Sequence, residues 1–237
     1  MSSTVETGIS VYVGHFQKLI DVCESFEKSY NPFPRDLRIE SLKLQLSGVQ
    51  AAIDAVDMAL PTMETAENAR RQVFTQMPPL ATRVQATAII SGLPDSIVLH
   101  IKEVVRKIHG SRAKAIKPEM EGEKHISVSQ VSFNAQIEHF NQLIYLVDSQ
   151  PAYKPSESGL KVDALKKLLN EMRATNDAAM AANIPLKNAR IERDRLLYAP
   201  DTGMMNTALR VKEYVKAVFG TASPQYEIVR HISFHNR

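Results

Sequence analysis

The chain is 237 residues long, 44% apolar, and carries 29 Lys and Arg against 26 Asp and Glu, a formal charge of +3. Its single cysteine, Cys23, excludes an intrachain disulfide and a cysteine-based metal cluster. No apolar run reaches the roughly 18 residues of a membrane span, and so small a charge bias, with both signs interspersed, makes no electrostatic case for nucleic acid.

Few glycines, no tryptophan, and segments rich in Ala, Leu, Lys, Glu, Gln and Arg favour helix throughout, so the expected class is all-α. The first helix is predicted over residues 9–30, with Phe16, Leu19, Ile20, Cys23, Phe26 and Tyr30 on one face. Pro32 and Pro34 stop it. A long helix over 35–76 follows. Its apolar positions Ile39, Leu42, Leu46, Val49, Ile53, Val56, Leu60 and Met63 alternate steps of 3 and 4, a heptad seam suited to near-antiparallel packing in a bundle. Pro61 should kink this helix without ending it, and Met77-Pro78-Pro79 should be its stop. A helix over 80–91 turns Val84, Ala88 and Ile89 inward and ends at Gly92. Another over 95–109 stops at Gly110.

Residues 111–128 are polar, contain Pro118 and Gly122, and read as a linker. Residues 126–133 come nearest to a strand pattern and read as an extended lead-in. The next helix carries Phe133, Ile137, Phe140, Ile144 and Val147. A turn over 150–159 leads to a long helix over 160–198. Asp201-Thr202-Gly203 opens a helix whose inward face is Met204, Ala208, Val211, Val215 and Val218, with Gly220 at its end. A short segment over 225–234 completes the plan.

The second half thus repeats the first. His15-Phe16-Gln17-Lys18-Leu19-Ile20 returns as His139-Phe140-Asn141-Gln142-Leu143-Ile144, and Tyr30-Asn31-Pro32 as Tyr153-Lys154-Pro155. Pro61 returns as Pro185, Asn68-Ala69-Arg70 as Asn188-Ala189-Arg190, and Ala81-Thr82-Arg83-Val84 as Ala208-Leu209-Arg210-Val211. The expected organisation is a first repeat over 1–110, a linker over 111–128 and a second repeat over 129–237. The duplicated hairpins are expected to pack as one elongated, pseudo-two-fold, four-helix-type bundle, with the shorter helices covering the rest of each long one.

Chemistry is sparse. No Gly-rich phosphate loop, G-x-S-x-G or H-E-x-x-H occurs. The di-metal bundles need Glu-x-x-His on facing helices, and no Glu here has a His three residues later. No catalytic residue, metal or cofactor is therefore assigned. Six residues remain candidates for ligand or partner contact. His15 and His139 occupy equivalent positions before a core Phe and could share a metal if both faced the axis; the plainer reading is a half-exposed ring beside the apolar stripe. Arg70 and Arg190, repeated in Asn-Ala-Arg, could clamp an anion; the plainer reading is an i, i+4 ion pair such as Arg190 with Asp194. Asn176 and Asn183 replace Ile53 and Leu60 in the second seam. Either they bond across the bundle, or the helix rolls to use Ala179, Met180 and Ile184 instead; the roll is favoured. The basic residues Lys102, Arg106, Lys107, Arg112, Lys114 and Lys117 lack interleaved aromatics and read as a solvated helix end and linker. Cys23 reads as a small core residue.

The stretch from Asn188-Ala189-Arg190 to Tyr198, with Thr202-Gly203, the run Val211-Lys212-Glu213-Tyr214-Val215-Lys216-Ala217-Val218-Phe219-Gly220 and Ser223-Pro224-Gln225-Tyr226, resembles a signature of uncharacterised bacterial conserved helical proteins. The resemblance extends to Pro79-Leu80-Ala81-Thr82-Arg83. It implies a bacterial, cytoplasmic, helical protein and carries over no activity and no site. Met1 to Thr7 shows neither a basic n-region nor an apolar h-region, so no signal peptide is expected. The functional expectation is a non-enzymatic helical bundle acting by contact with another protein or with itself. The rival expectations are a membrane-acting protein that opens a hairpin, a nucleic-acid binder using residues 102–117, and an enzyme with an unpatterned site.

Overall fold

The computed structural model describes residues 4–110 and 132–234, and these are helical with no strand among them. The expected linker and most of the strand-like lead-in lie outside the described residues. Helix α1 spans Thr4–Ser25 and gives way to a 3₁₀ turn at Glu27–Ser29, several residues before the expected end. Glu27 adopts a positive φ of 48°, a left-handed conformation that halts helix propagation and swings Tyr30 inward. Helix α2 spans Ile39–Phe74 and α6 spans Val162–Tyr198, each continuous through its internal proline, Pro61 and Pro185.

Between them lie α3 (Met77–Ile90), α4 (Asp95–Ile108) and α5 (Phe133–Asp148); α7 (Met204–Phe219) and α8 (Pro224–Arg230) follow. Helix α2 ends at Phe74, ahead of Met77-Pro78-Pro79 as expected, but Pro78 and Pro79 also form the first turn of α3, where a missing N–H costs nothing because that donor has no intrahelical partner. Ser132 caps α5 by accepting from the Ala135 amide at 3.2 Å, and Ser223 caps α8 by accepting from the Tyr226 amide at 3.1 Å. Val84 and Ala88 are buried, but Ile89, one residue and 100° further round, is exposed. Val218, in the last turn of α7, is also exposed.

By their contacts the described residues fall into two compact units. One combines residues up to Thr62 with Asn183–Arg237; the other is Met63–Ala182. Neither coincides with 1–110 or 129–237. The first unit's core joins Phe16, Leu19, Ile20 and Cys23 of α1 and Leu42, Leu46 and Val49 of α2 to Met204, Ala208, Val211 and Val215 of α7 and Val229 of α8. The second unit's core joins Phe140, Leu143, Ile144 and Val147 of α5 and Leu165, Leu169 and Met172 of α6 to Met77, Ala81, Val84 and Ala88 of α3 and Ile101 and Val104 of α4. Each core is therefore assembled from both halves of the sequence.

Matching local devices set the start of each long helix. Tyr30 Oη donates to the Leu37 carbonyl at 2.8 Å, and Tyr153 Oη to the Leu160 carbonyl at 2.9 Å, both buried. Each of Leu37 and Leu160 closes a short 3₁₀ turn two residues before its helix. Burial holds both phenols protonated: the Tyr153 hydroxyl is pushed up to about 12, and Tyr30 is also raised. Surface pairs tie the following turn, Lys43 to Glu24 at 2.6 Å and Lys166 to Asp148 at 2.8 Å; exposed as they are, each adds little stability.

The entry to α7 is tight. A Cβ on Gly203 would lie 2.5 Å from the Ala199 nitrogen and 2.6 Å from its oxygen. Its neighbours cannot retreat freely, because the Gly203 amide donates to the Ala199 carbonyl at 2.9 Å and the Thr207 amide to the Gly203 carbonyl at 2.9 Å. Gly203→Ala should destabilise by roughly 1–3 kcal/mol, as overpacking does. Chemical denaturation checks this, and an unchanged midpoint would mean that the turn yields to the added methyl group.

Candidate functional site

The polar groups the fold buries lie on the long helices and the helices against them. Successive buried positions of α6 are Leu165, Leu169, Met172, Asn176, Ala179, Leu186, Arg193 and Leu197. With the buried Leu168 beside them, they follow the heptad steps as far as Leu186, Asn183 being half-buried, and the exposed Arg190 interrupts the series before Arg193. The favoured roll does not occur. Asn176 stays inside at 4% exposure, while Met180 and Ile184 face solvent. The reason is that its amide finds partners: Nδ2 donates to Asn134 Oδ1 at 2.9 Å, and Oδ1 accepts from Arg70 Nη1 at 3.4 Å. A satisfied amide in a seam costs far less than an orphaned one.

Arg70 is the centre of this cluster. Its guanidinium carbon sits 3.9 Å from the centroid of the Phe133 ring, and Nη2 is 3.7 Å from Glu67 Oε1. Phe133 in turn meets Phe74 edge-on at 4.8 Å. The cation is thus flanked by an aromatic face, an amide and a loosely placed carboxylate, while its buried Nε has no acceptor.

Arg190 is not its counterpart. Arg190 is exposed, and Asp194, its expected partner, is gripped by Arg193 through Nε at 2.9 Å and Nη2 at 2.8 Å. Arg193 is the buried arginine of the second seam. The seam signal was present in the sequence. The long helices align with an offset of 123, which carries Arg70 to Arg193, whereas the Asn-Ala-Arg match at 120 slips the helix by three residues and selects Arg190.

The two histidines are used differently. His15 Nδ1 lies 2.8 Å from the Ser233 carbonyl, and its ring meets Phe234 edge-on at 6.2 Å, so it fastens the end of the chain to α1. His139 has both ring nitrogens buried, and neither meets a partner in hydrogen-bond geometry. Burial lowers its pKa below the ordinary 6.5, and the Lys107 cation lowers it further, with Gln142 and Glu138 offsetting part of this. A base depressed in the fold keeps its charge off there but gains a proton in the unfolded chain. Stability should therefore be lost as pH falls below about 6.5. His139→Gln should flatten that loss relative to wild type in denaturation midpoints between pH 7.5 and pH 5. Parallel curves would show that His139 does not titrate differently on folding.

Burial also pushes the Cys23 thiol up to about 12, so it is a packing group at neutral pH, not a nucleophile. A shallow groove of about 290 Å³ between α5 and α6 is lined by Asn141, Tyr145, Asn170 and Arg173 and closed at one side by the Asp148–Lys166 pair. Among the described residues, no three His, Cys, Asp or Glu side chains converge as a metal site would require. Lys102 and Arg106 are exposed on α4 and Lys107 is half-buried; Arg112, Lys114 and Lys117 lie outside the described residues.

No protein-family model, curated protein or solved structure matches this chain. No described helix is long and apolar enough to cross a membrane. On the charge pattern, retention on duplex or single-stranded DNA near 150 mM salt should be negligible. Sub-micromolar binding that falls steeply with salt, and is lost on neutralising Arg106, Lys107 and Arg112, would reverse that reading.

Proposed function

We propose that this chain is a duplicated, non-enzymatic helical protein of the bacterial cytoplasm that acts by contact with protein surfaces. Its repeats would be related by a pseudo-two-fold. The matched tyrosine bonds, 3₁₀ turns and helix prolines of the two halves support the duplication. The observation that carries the contact reading is that α6 leaves large apolar side chains in water while burying two polar ones within an otherwise apolar seam. Its buried side holds Asn176 and Arg193, while Met180, Ile184 and Ile191, spaced four and seven residues apart and so on one side of the helix, are each more than half exposed. An apolar edge left in water beside a polar seam is a local conflict of the kind that functional surfaces retain.

The buried polar side chains support the non-enzymatic half of this reading. Asn176, Arg193 and the Arg70 Nη1 group are engaged with neighbours in the fold, and His15 holds a backbone carbonyl; Arg70 Nε and the His139 ring nitrogens are the exceptions. The test is affinity capture from native lysate with wild type and with Ile184→Glu/Ile191→Lys, both first shown to have the same helicity and melting behaviour. Partners held by wild type and lost by the variant are expected. An identical set of captured proteins, or turnover of a substrate by the purified chain, would count against the reading.

A further inference from the structure

The two cores are built from nearly the same parts. The receiving side of one presents Phe16, Leu19, Ile20 and Cys23 with Leu42, Leu46 and Val49; the receiving side of the other presents Phe140, Leu143, Ile144 and Val147 with Leu165, Leu169 and Met172. The hairpin that closes each core comes from the opposite half of the sequence. On α7 the closing residues are Met204, Ala208, Val211 and Val215; on α3 they are Met77, Ala81, Val84 and Ala88, at the same spacing and all fully buried. Beyond that the hairpins differ in length: α4 adds Ile101, Val104, Val105 and Ile108, whereas the shorter α8 adds Val229, with Ile232 just past its end at the spacing of Val104. Across these positions the sets differ by small apolar exchanges, Cys for Val, Val for Met, Ala for Val, Ile for Val, which packed cores absorb at low cost.

A hairpin that fits one receiving face should then fit the other. Nor can either half satisfy itself, since α2 leads into α3 and α4, which close on α5 and α6 instead of on α1. We infer that the closing hairpins α3–α4 and α7–α8 are interchangeable docking elements, so that the partner this fold is built to capture is a second copy of the same chain. This rests on the contact reading above and names its partner. The polar groups set the preference for the native pairing. Arg70 of the first half donates to Asn176 of the second at 3.4 Å, where the other unit has Ile53 at the position matching Asn176. His15 binds the Ser233 carbonyl beyond α8, whereas His139 lies by Lys107 of α4. Native pairing is therefore favoured, and like pairing is a minor but populated alternative.

The test begins with the full chain carrying a specific protease site after Gly122. Cut while folded, it should remain one 1:1 complex of its two pieces, because each core holds both. The complex is then unfolded in urea at high concentration, returned to buffer and read by native mass spectrometry. Pairs of two first pieces and pairs of two second pieces are expected beside the 1:1 complex. The 1:1 complex alone would overturn the interchange while leaving the mixed cores standing. Pieces that part on cutting would overturn the mixed cores and the inference together. If the pieces precipitate on refolding, the intact chain decides: a mixture of isotope-labelled and unlabelled chains taken through the same cycle should yield mixed-label dimers, and monomers alone would overturn the inference. None of these results depends on the exposed edge of α6, so the capture experiment stands or falls separately.

Discussion

Phe140→Ala should lower stability by about 3–5 kcal/mol, the cost of emptying a buried aromatic site that cannot collapse. Phe140 is fully buried in a core where α3, α4, α5 and α6 all contribute. Its neighbours Leu143, Ile144 and Val147 are themselves buried, so removing the ring leaves a void lined by side chains already in contact on their other faces. Urea denaturation followed by far-UV circular dichroism measures the loss. If the two units unfold in separate steps, the loss should appear in the step to which Met63–Ala182 belongs. Tyr145→Ala on the same helix is the control: that ring is 67% exposed, and the change should stay within about 0.5 kcal/mol. A loss below about 1 kcal/mol at Phe140 would mean that α5 does not face a core.

Leu46→Ala should cost about 2–5 kcal/mol, and Leu44→Ala almost nothing. The two residues stand two apart on α2, about 200° round the helix from each other. Leu46 is 5% exposed and shares a core with Val49 and Leu42; Leu44 is 75% exposed. The pair tests the phase of the seam, not merely the presence of a helix. Equal effects at both positions would place the helix in the wrong rotation and remove the basis for the first core. A large cost at Leu44 would also point to that side of α2 as a contact surface in its own right.

Much of this architecture was legible along the chain. The heptad steps from Ile39 to Met63 and their echo from Leu165 carry the helical period directly; burial follows them at Leu42, Leu46, Val49 and Val56, while Ile39, Ile53, Leu60 and Met63 are half-buried. Helix ends were legible where a cap supplies the signal, as at Gly92, Gly110 and Gly220, all with positive φ. They were misread where a residue's role depends on what surrounds it. Pro78 and Pro79 end one helix in a list of letters, yet begin the next in space. Ile89 belongs to an apolar run but faces away from the partner that buries Val84 and Ala88.

The candidate site was less legible. Asn176 looked like a residue a helix would turn outward, because no sequence pattern shows that Asn134, 42 positions earlier, supplies an acceptor. The repeated tripeptide drew the eye to Arg190, while the offset of the seam marked Arg193. A matching tripeptide says nothing of which way its side chains face, whereas a helical period ties each position to one side of the helix. His139 could not be told from His15 by its neighbours in sequence. Lys107 and Ser233 distinguish them, and both come from distant elements.

Local physics thus determined the elements of this protein: helix propensity, the alternation of apolar steps, and the glycines and prolines that punctuate them act within a few turns of one chain. Which elements share a core was decided only in three dimensions. The sequence reads as two consecutive repeats, but α3 and α4 complete the core of α5 and α6, and α7 and α8 complete that of α1 and α2. Contacts between elements far apart in the chain, such as α3 with α5 and α1 with α7, make that choice, and no local pattern encodes them.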